Sequence, residues 1–238
     1  MPRPPFLYFP FLVLAVIIFA VGLAFFFALI QVGAISIAFA KLGLNPNQAI
    51  LVLFAILFGS MVNIPVATRP RPRTPNSAPP PPGGLGFKTW PYWRLPQTHL
   101  QSPTQRIGLN LGGGLIPIVL SLYFLQGLGV TLPLVLCLAI VTGVTYKAAR
   151  PIQGVGIGVP VLLPPVVTVL AVWLFTPIEQ QPQTAYIAGT LGTLLGADLL
   201  HLFSPRTRPL LDAPFLSIGG AGTFDGIFLT GILAVLLT

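Results

Sequence analysis

The residues best able to do chemistry sit where apolar sequence makes them costly. From Leu194 to Thr238 the chain reads LLGADLLHLFSPRTRPLLDAPFLSIGGAGTFDGIFLTGILAVLLT, which holds Asp198, Asp212 and Asp225, three of the four acidic residues, together with His201. A carboxylate inside an apolar helix must face protein or a wet cavity, and its roles there are a proton relay, an ion site or a catalytic acid. Asp198 and His201, spaced i, i+3, share one helical face. Asp198 and Asp225 are the catalytic candidates, because two carboxylates that share one proton can activate water when they approach within hydrogen-bond range. The competing structural reading pairs Asp198 with Lys147, Arg150, Arg206 or Arg208, and gives His201 a capping or packing role. Asp212 reads as a solvated loop residue beside Arg208. Asn63, Asn110, Tyr146 and Lys147 join Asp198, His201 and Asp225 as binding candidates, since all fall in one layer near the same ends of their apolar segments.

The elements that must position these groups follow from composition. Hydrophobic residues make up 54% of the 238 and charged residues 7%, with a mean hydropathy of +0.89. Such a chain lacks the charged surface of a soluble domain and reads as a membrane protein whose first partner is the lipid bilayer. The net charge of +8 is dispersed over short loops, which argues for topology signals and against nucleic acid. Seven apolar segments stand out: Phe6 to Ile30, Asn47 to Val66, Ile107 to Gln126, Val130 to Tyr146, Gly158 to Phe175, Ala185 to Phe203 and Ser217 to Leu237. With the N-terminus cytoplasmic, Lys41 is the one Lys or Arg left outside, so the positive-inside rule favours seven spans with the C-terminus outside. The segment Gln31 to Leu44 continues the first helix or lies in the interface. The uncharged run after Arg3 is too long for a cleavable signal, so a retained first helix is expected. The expected fold class is thus an all-α polytopic transmembrane bundle, with two spans in 1–66, a Pro-rich cytoplasmic linker in 67–106 and a five-span core in 107–238.

The linker, TRPRPRTPNSAPPPPGGLG from Thr68 to Gly86, favours extended, solvated backbone. It reads as a spacer, or as a ligand for a proline-binding module or an anionic surface. KTWPYWR at Lys88 to Arg94 suits the headgroup zone. RPIQGVGIGVPVLLPP at Arg150 to Pro165 is too rich in Gly and Pro for a regular helix, and suggests a broken or re-entrant entry to the fifth span. Gly189, Gly192 and Gly196 form one small face on the sixth span, and Gly222 with Gly226 a G-x-x-x-G on the seventh, both suited to close helix approach. Cys137 is the lone cysteine, so no intramolecular disulfide is expected. The chain has no H-E-x-x-H, C-x-x-C, G-x-S-x-G or phosphate-loop motif, and neither a metal nor a cofactor is expected.

NIPV at Asn63 to Val66, GGGLIP at Gly112 to Pro117, ARPIQGVGI at Ala149 to Ile157, GTLGTLLGADLL at Gly189 to Leu200 and SIGGAGTFDGIFLTGILAVLL at Ser217 to Leu237 resemble the prokaryotic membrane-protein family catalogued as domain of unknown function 1614. The resemblance implies an integral protein of a prokaryotic cytoplasmic membrane or an equivalent internal membrane, and carries no activity. GAGTFD also resembles, more distantly, the G-x-G-D of presenilin-type intramembrane aspartyl proteases, although Asp225 stands three residues after the second glycine and no P-A-L follows. The reading expected from the residues is transport or ion- or proton-coupled binding at an Asp/His site. An intramembrane aspartyl protease and a non-catalytic membrane assembly protein are the alternatives.

Overall fold

A computed structural model describes residues 9–71, 104–152, 156–220 and 226–238. Helix α1 (Phe9–Lys41) runs for 33 residues, about 50 Å at 1.5 Å per residue. Gly43 at φ +85° then turns the chain. Asn45 and Gln48 form a reciprocal capping box, with Pro46 in the first turn of α2 (Pro46–Gly59). Gly supplies the positive φ and the box satisfies the first N–H groups, so the 119° bend between Gln31–Lys41 and Pro46–Gly59 has local causes.

Strands follow where helix was expected. β1 (Asn63–Pro70) pairs antiparallel with β2 (Thr104–Asn110), in a register that sets Asn63 opposite Asn110. A π-helical turn (Leu111–Leu115) leads into α3 (Ile116–Leu128), which Gly129 connects to α4 (Leu132–Ala148). The short hairpin β3 (Arg150–Ile152) and β4 (Gly156–Gly158) precedes α5 (Leu163–Phe175). α6 (Gln181–Thr193) passes through a second π-turn (Leu194–Leu199) into α7 (Leu200–Phe203). β5 (Phe215–Ile218) adds parallel to β2, making the sheet order β1-β2-β5, and α8 (Gly226–Leu237) ends the chain.

The protein is therefore mostly helical but not all-α. The second apolar segment stops being helix at Gly59 rather than Val66, the third begins helix at Leu111 rather than Ile107, and the last opens as strand, with Ser217 and Ile218 in β5. The physical reason is visible in the sequence: NIPVATRP and TQRIGLN carry β-branched and Pro residues that suit extended backbone, and the second shows a period-2 burial pattern. The boundaries at 66 and 106 both fall inside paired strands. Residues 72–103, with most of the Pro-rich segment and KTWPYWR, lie outside the described residues. Among the described residues two helical stretches, Leu111–Leu128 and Ile178–Phe203, are long and apolar enough to cross a membrane. Gln31–Lys41 with Pro46–Gly59 would make a third if the bent pair is one span.

At the centre stands α6, ten of whose thirteen residues are buried. It touches α3, α4, α5 and α8. The outer helices turn apolar side chains outward: Phe19, Leu51 and Leu174 are each more than two-thirds exposed, as suits an apolar solvent. Small residues permit the central packing. A Cβ on Gly192 would come within 2.8 Å of the Val141 side chain, and one on Gly196 within 2.5 Å of the Thr142 carbonyl oxygen. The expected glycine face therefore serves α4 at two of its positions, while Gly189 meets Thr168 and Thr230. On α8 the close approach is at Gly231 rather than Gly226, where an added Cβ meets nothing within 4 Å.

Charge divides along the helix axes. The Lys41 ammonium donates to the Leu236 carbonyl at 3.1 Å and to that of Val235 at 3.4 Å, favourable at the negative C-terminal end of α8. The other described basic residues belong to or adjoin the strand layer at the opposite end of that helix.

Backbone contact at Gly196 makes a test. Gly196→Ala should lower stability in detergent by about 1–3 kcal/mol through overpacking, whereas Gly143→Ala, in open space on α4, should be neutral or mildly stabilising. Thermal unfolding of both variants checks this. Equal behaviour would contradict the packing.

Candidate functional site

The polar residues of the strand layer converge on Asn110. Its Nδ2 donates to the Ser60 carbonyl at 2.9 Å and to Asn63 Oδ1 at 3.3 Å, while its Oδ1 accepts from the Gly113 N–H at 2.7 Å. Asn110 is wholly buried. It thereby caps the first π-turn, satisfies the end of α2 and meets the strand partner set opposite it by register. Ser217 on β5 completes the cluster, with its hydroxyl 2.6 Å from Asn63 Oδ1 and also against the Gly220 carbonyl, its single proton serving one acceptor at a time.

The triple glycine beside Asn110 explains how three backbones meet there. A Cβ on Gly112 would strike the Ile56 carbonyl and the Ser60 N–H, and one on Gly114 would come within 3.1 Å of the Ile218 carbonyl. Gly219, at φ +85°, lies against Gly114 so closely that its own Cβ would be 2.5 Å from the Gly114 nitrogen. Asp198 holds this turn from the other side: its Oδ2 accepts from the Gly219 N–H at 2.7 Å. The carboxylate projects from the second π-turn, a kind of helix irregularity that recurs at functional sites.

Asp198 also lines a cavity of about 350 Å³. Thr193 and Ala197 share its wall with Asp198, Pro160 and Pro164 close another side, and Ser217 and Gly220 bring polar atoms from the β5 turn. Most of the rest is apolar, including Leu202, Phe215 and Ile227. Among the described lining residues Asp198 carries the only ionisable side chain. A mostly apolar hollow with few convergent polar groups is the usual form of a small-ligand site, and this one is suited electrostatically to a cation or a proton.

Among the described residues the buried hydroxyls of Ser121, Thr142, Thr184, Thr190, Thr193 and Tyr186 have no hydrogen-bond partner. The Tyr186 hydroxyl lies beside that of Thr190, without the geometry of a hydrogen bond. A buried hydroxyl left in this state costs about 1–3 kcal/mol.

The sequence candidates divide into groups. Asn63, Asn110 and Asp198 belong to one connected cluster through Ser217 and Gly219. His201 and Tyr146 form a separate pair, with ring centroids 4.6 Å apart. His201 Nδ1 is 3.1 Å from the Gly196 carbonyl, which can only accept, so Nδ1 carries a proton. His201 is not in the cavity wall. Lys147 is exposed. Asp225, and with it the proposed carboxylate pair, lies outside the described residues, as does Gly222. Among the described residues no three His, Cys, Asp or Glu side chains gather.

A second polar set ties the strands to the segment before β5. Arg69 Nε donates to Gln105 Oε1 at 2.6 Å, buried Gln105 donates to the carbonyls of Leu211 at 2.8 Å and Ala213 at 2.5 Å, and Arg71 donates to the Asp212 carbonyl. Burial, and after it the charge of Arg208, lowers the Arg69 pKa from the ordinary arginine value, which leaves it cationic at neutral pH. Sequence reasoning missed Ser217, Thr193 and Gly219. The paired positive-φ glycines after a β-branched strand end were the available signal.

Asn110→Ala should destabilise the protein by about 1–3 kcal/mol for each buried backbone group it abandons. Asn110→Asp, which keeps the acceptor for Gly113 but sets a buried carboxylate oxygen against the Ser60 carbonyl and Asn63 Oδ1, should cost at least as much. Chemical unfolding in micelles checks the order; an unaffected Asn110→Ala would show that the node is dispensable.

Neither a curated protein nor a solved structure matches the chain. The family model described as protein of unknown function DUF1614 matches residues 57–237, a span that takes in the Asn110 node, both π-turns and the Asp198 cavity. The chain belongs to that family.

Proposed function

We propose that this is an integral membrane protein that binds a small cation or a proton at Asp198, in a transport or ion-coupled role. The observation that carries the reading is the cavity itself: a partly open, mostly apolar hollow whose one described ionisable side chain is a carboxylate held at a break in the central helix. Broken helices that present polar groups to a cavity are how transporters build sites inside an apolar bundle. The proposed topology has seven passes, α1, α2, α3, α4, α5, α6 with α7, and α8, with the strand layer cytoplasmic. Support comes from the basic residues around the strands and from Lys41 at the far end of α8.

Several of these helices are short for a span. α5 has 13 residues, about 20 Å, against a hydrocarbon core of about 30 Å. The proposed arrangement therefore sinks the strand layer partly below the membrane surface, where its backbone is satisfied by ladder bonds and by Asn110, Gln105 and Asp198.

The test uses the full chain in proteoliposomes carrying an imposed Na⁺, K⁺ or pH gradient. Wild type should dissipate at least one gradient, and Asp198→Asn should slow it about tenfold or more, equivalent to a barrier raised by about 1.4 kcal/mol. No dissipation by the wild type, or full activity in a folded Asp198→Asn variant, would overturn the reading and leave Asp198 as a structural clamp on the Gly219 turn.

A further inference from the structure

We infer that the cavity takes a short extended peptide, which adds as a strand to the open edge of β5 and sets its terminal ammonium group against Asp198. This rests on the reading of Asp198 as a cation site and names the cation.

The first observation is what walls the cavity. All four residues of β5 and all three of β4 line it. Successive residues of a strand point to opposite faces, so a wall of consecutive residues is the edge of a strand and not one face of a sheet. Among the described residues β5 has β2 as its one ladder neighbour, and β4 has β3. The π-turn that carries Asp198 touches both strands. A Cβ on Gly156 would meet Leu216 Cδ2 at 3.6 Å, so the hairpin closes the hollow on that side without pairing with β5.

The second observation is where the backbone groups of these edges point. The Arg106 N–H donates to the Pro214 carbonyl at 3.0 Å, and Arg106 stands opposite Phe215 in the parallel register. This fixes the phase of the ladder: the N–H and C=O of Leu216 turn to β2, and those of Phe215 and Ser217 turn to the outer edge along the cavity. Among the described residues these outward groups have no backbone partner. On the facing strand, Pro151 stands opposite Ile157 and has no N–H. The hairpin bonds therefore fall between Arg150 and Gly158 and between Ile152 and Gly156, and the Ile157 groups turn away from β3.

The third observation is that the edges away from the cavity are blocked and these two are not. β1, the other edge of the three-stranded sheet, carries Pro65 and Pro70, and β3, the other edge of the hairpin, carries Pro151. Proline at an edge hinders the addition of a further strand. FLSI in β5 and GIG in β4 contain neither proline nor charge. Their donors and acceptors, repeated every second residue, are matched by another extended backbone.

Asp198 decides which end of the peptide enters. It carries the one ionisable side chain in the described wall, which attracts an ammonium and repels a carboxylate. A carboxylate offers about four acceptor sites, so Asp198 can hold the Gly219 N–H and an ammonium together. A volume of about 350 Å³ is at the small end of ligand sites. Three extended residues reach about 10 Å, within the length of about 13 Å that four strand residues span.

Binding of the tripeptide Val-Ala-Val to the full chain in nanodiscs, measured by calorimetry, tests this against two modified forms, one acetylated at its amine and one methylated at both amide nitrogens. The unmodified peptide should bind saturably. Each modification should weaken binding about tenfold or more, equivalent to about 1.4 kcal/mol. Asp198→Asn should weaken the unmodified peptide by a similar factor and leave the acetylated one unchanged. Phe215→Pro, which removes an N–H that faces the cavity and not the ladder, should bind about tenfold more weakly than Phe215→Ala, which keeps it. Equal binding of the methylated and unmodified peptides would overturn strand addition. A protein that binds no peptide but dissipates an ion gradient through Asp198 would overturn the peptide and leave the cation site standing. Peptide binding that ignores both acetylation and Asp198→Asn would remove Asp198 from both readings, and absence of peptide binding and of gradient dissipation together would overturn both.

Discussion

The carboxamide of Asn110 donates to the end of α2, meets Asn63 across the β1–β2 pair and accepts from the N–H of Gly113, and the architecture around the cavity depends on these bonds. An apolar bundle cannot leave backbone polar groups unpaired. Wherever a helix stops or changes pitch, a side chain must make up the missing partners. Asn110 does this at the first π-turn. Asp198 does it for the Gly219 turn from the second. Because Gly112 and Gly114 have no Cβ, the elements served by these two side chains lie backbone against backbone, and a small displacement of either would be felt at the cavity wall.

This constraint also explains why polar residues occur where they do. Ser60, Asn63, Asn110, Ser217 and Asp198 are not scattered substitutions in greasy segments; they are the hydrogen-bond partners of a small sheet inserted at one end of a helical bundle. Gln105 plays the same part for the loop before β5, held in place by Arg69.

The helical bulk of the fold was legible in the sequence because composition and charge placement report directly on an apolar solvent. The strands were not. NIPVATRP and TQRIGLN abut apolar helices, and hydropathy alone cannot tell a short buried strand from a helix end. The π-turn over LLGADL likewise has no signature in hydropathy. LGGGL showed its glycines plainly, but the need for them arises from Ser60, Ile218 and Gly219, residues distant in sequence. The alternation in TQRIGLN was the local clue that could have been read.

The central claim is the proposal that Asp198 titrates or binds a cation within the cavity it lines. A membrane-soluble carbodiimide reacts with protonated carboxyls, so the extent of its adduct on Asp198, read by mass spectrometry in native membranes, addresses that claim most directly. The account predicts an adduct on Asp198 that grows as pH falls and that is suppressed by a bound cation if one competes with the proton. An Asp198 that stays unmodified across the pH range in folded protein, or is modified to the same extent at every pH and cation concentration, would contradict it.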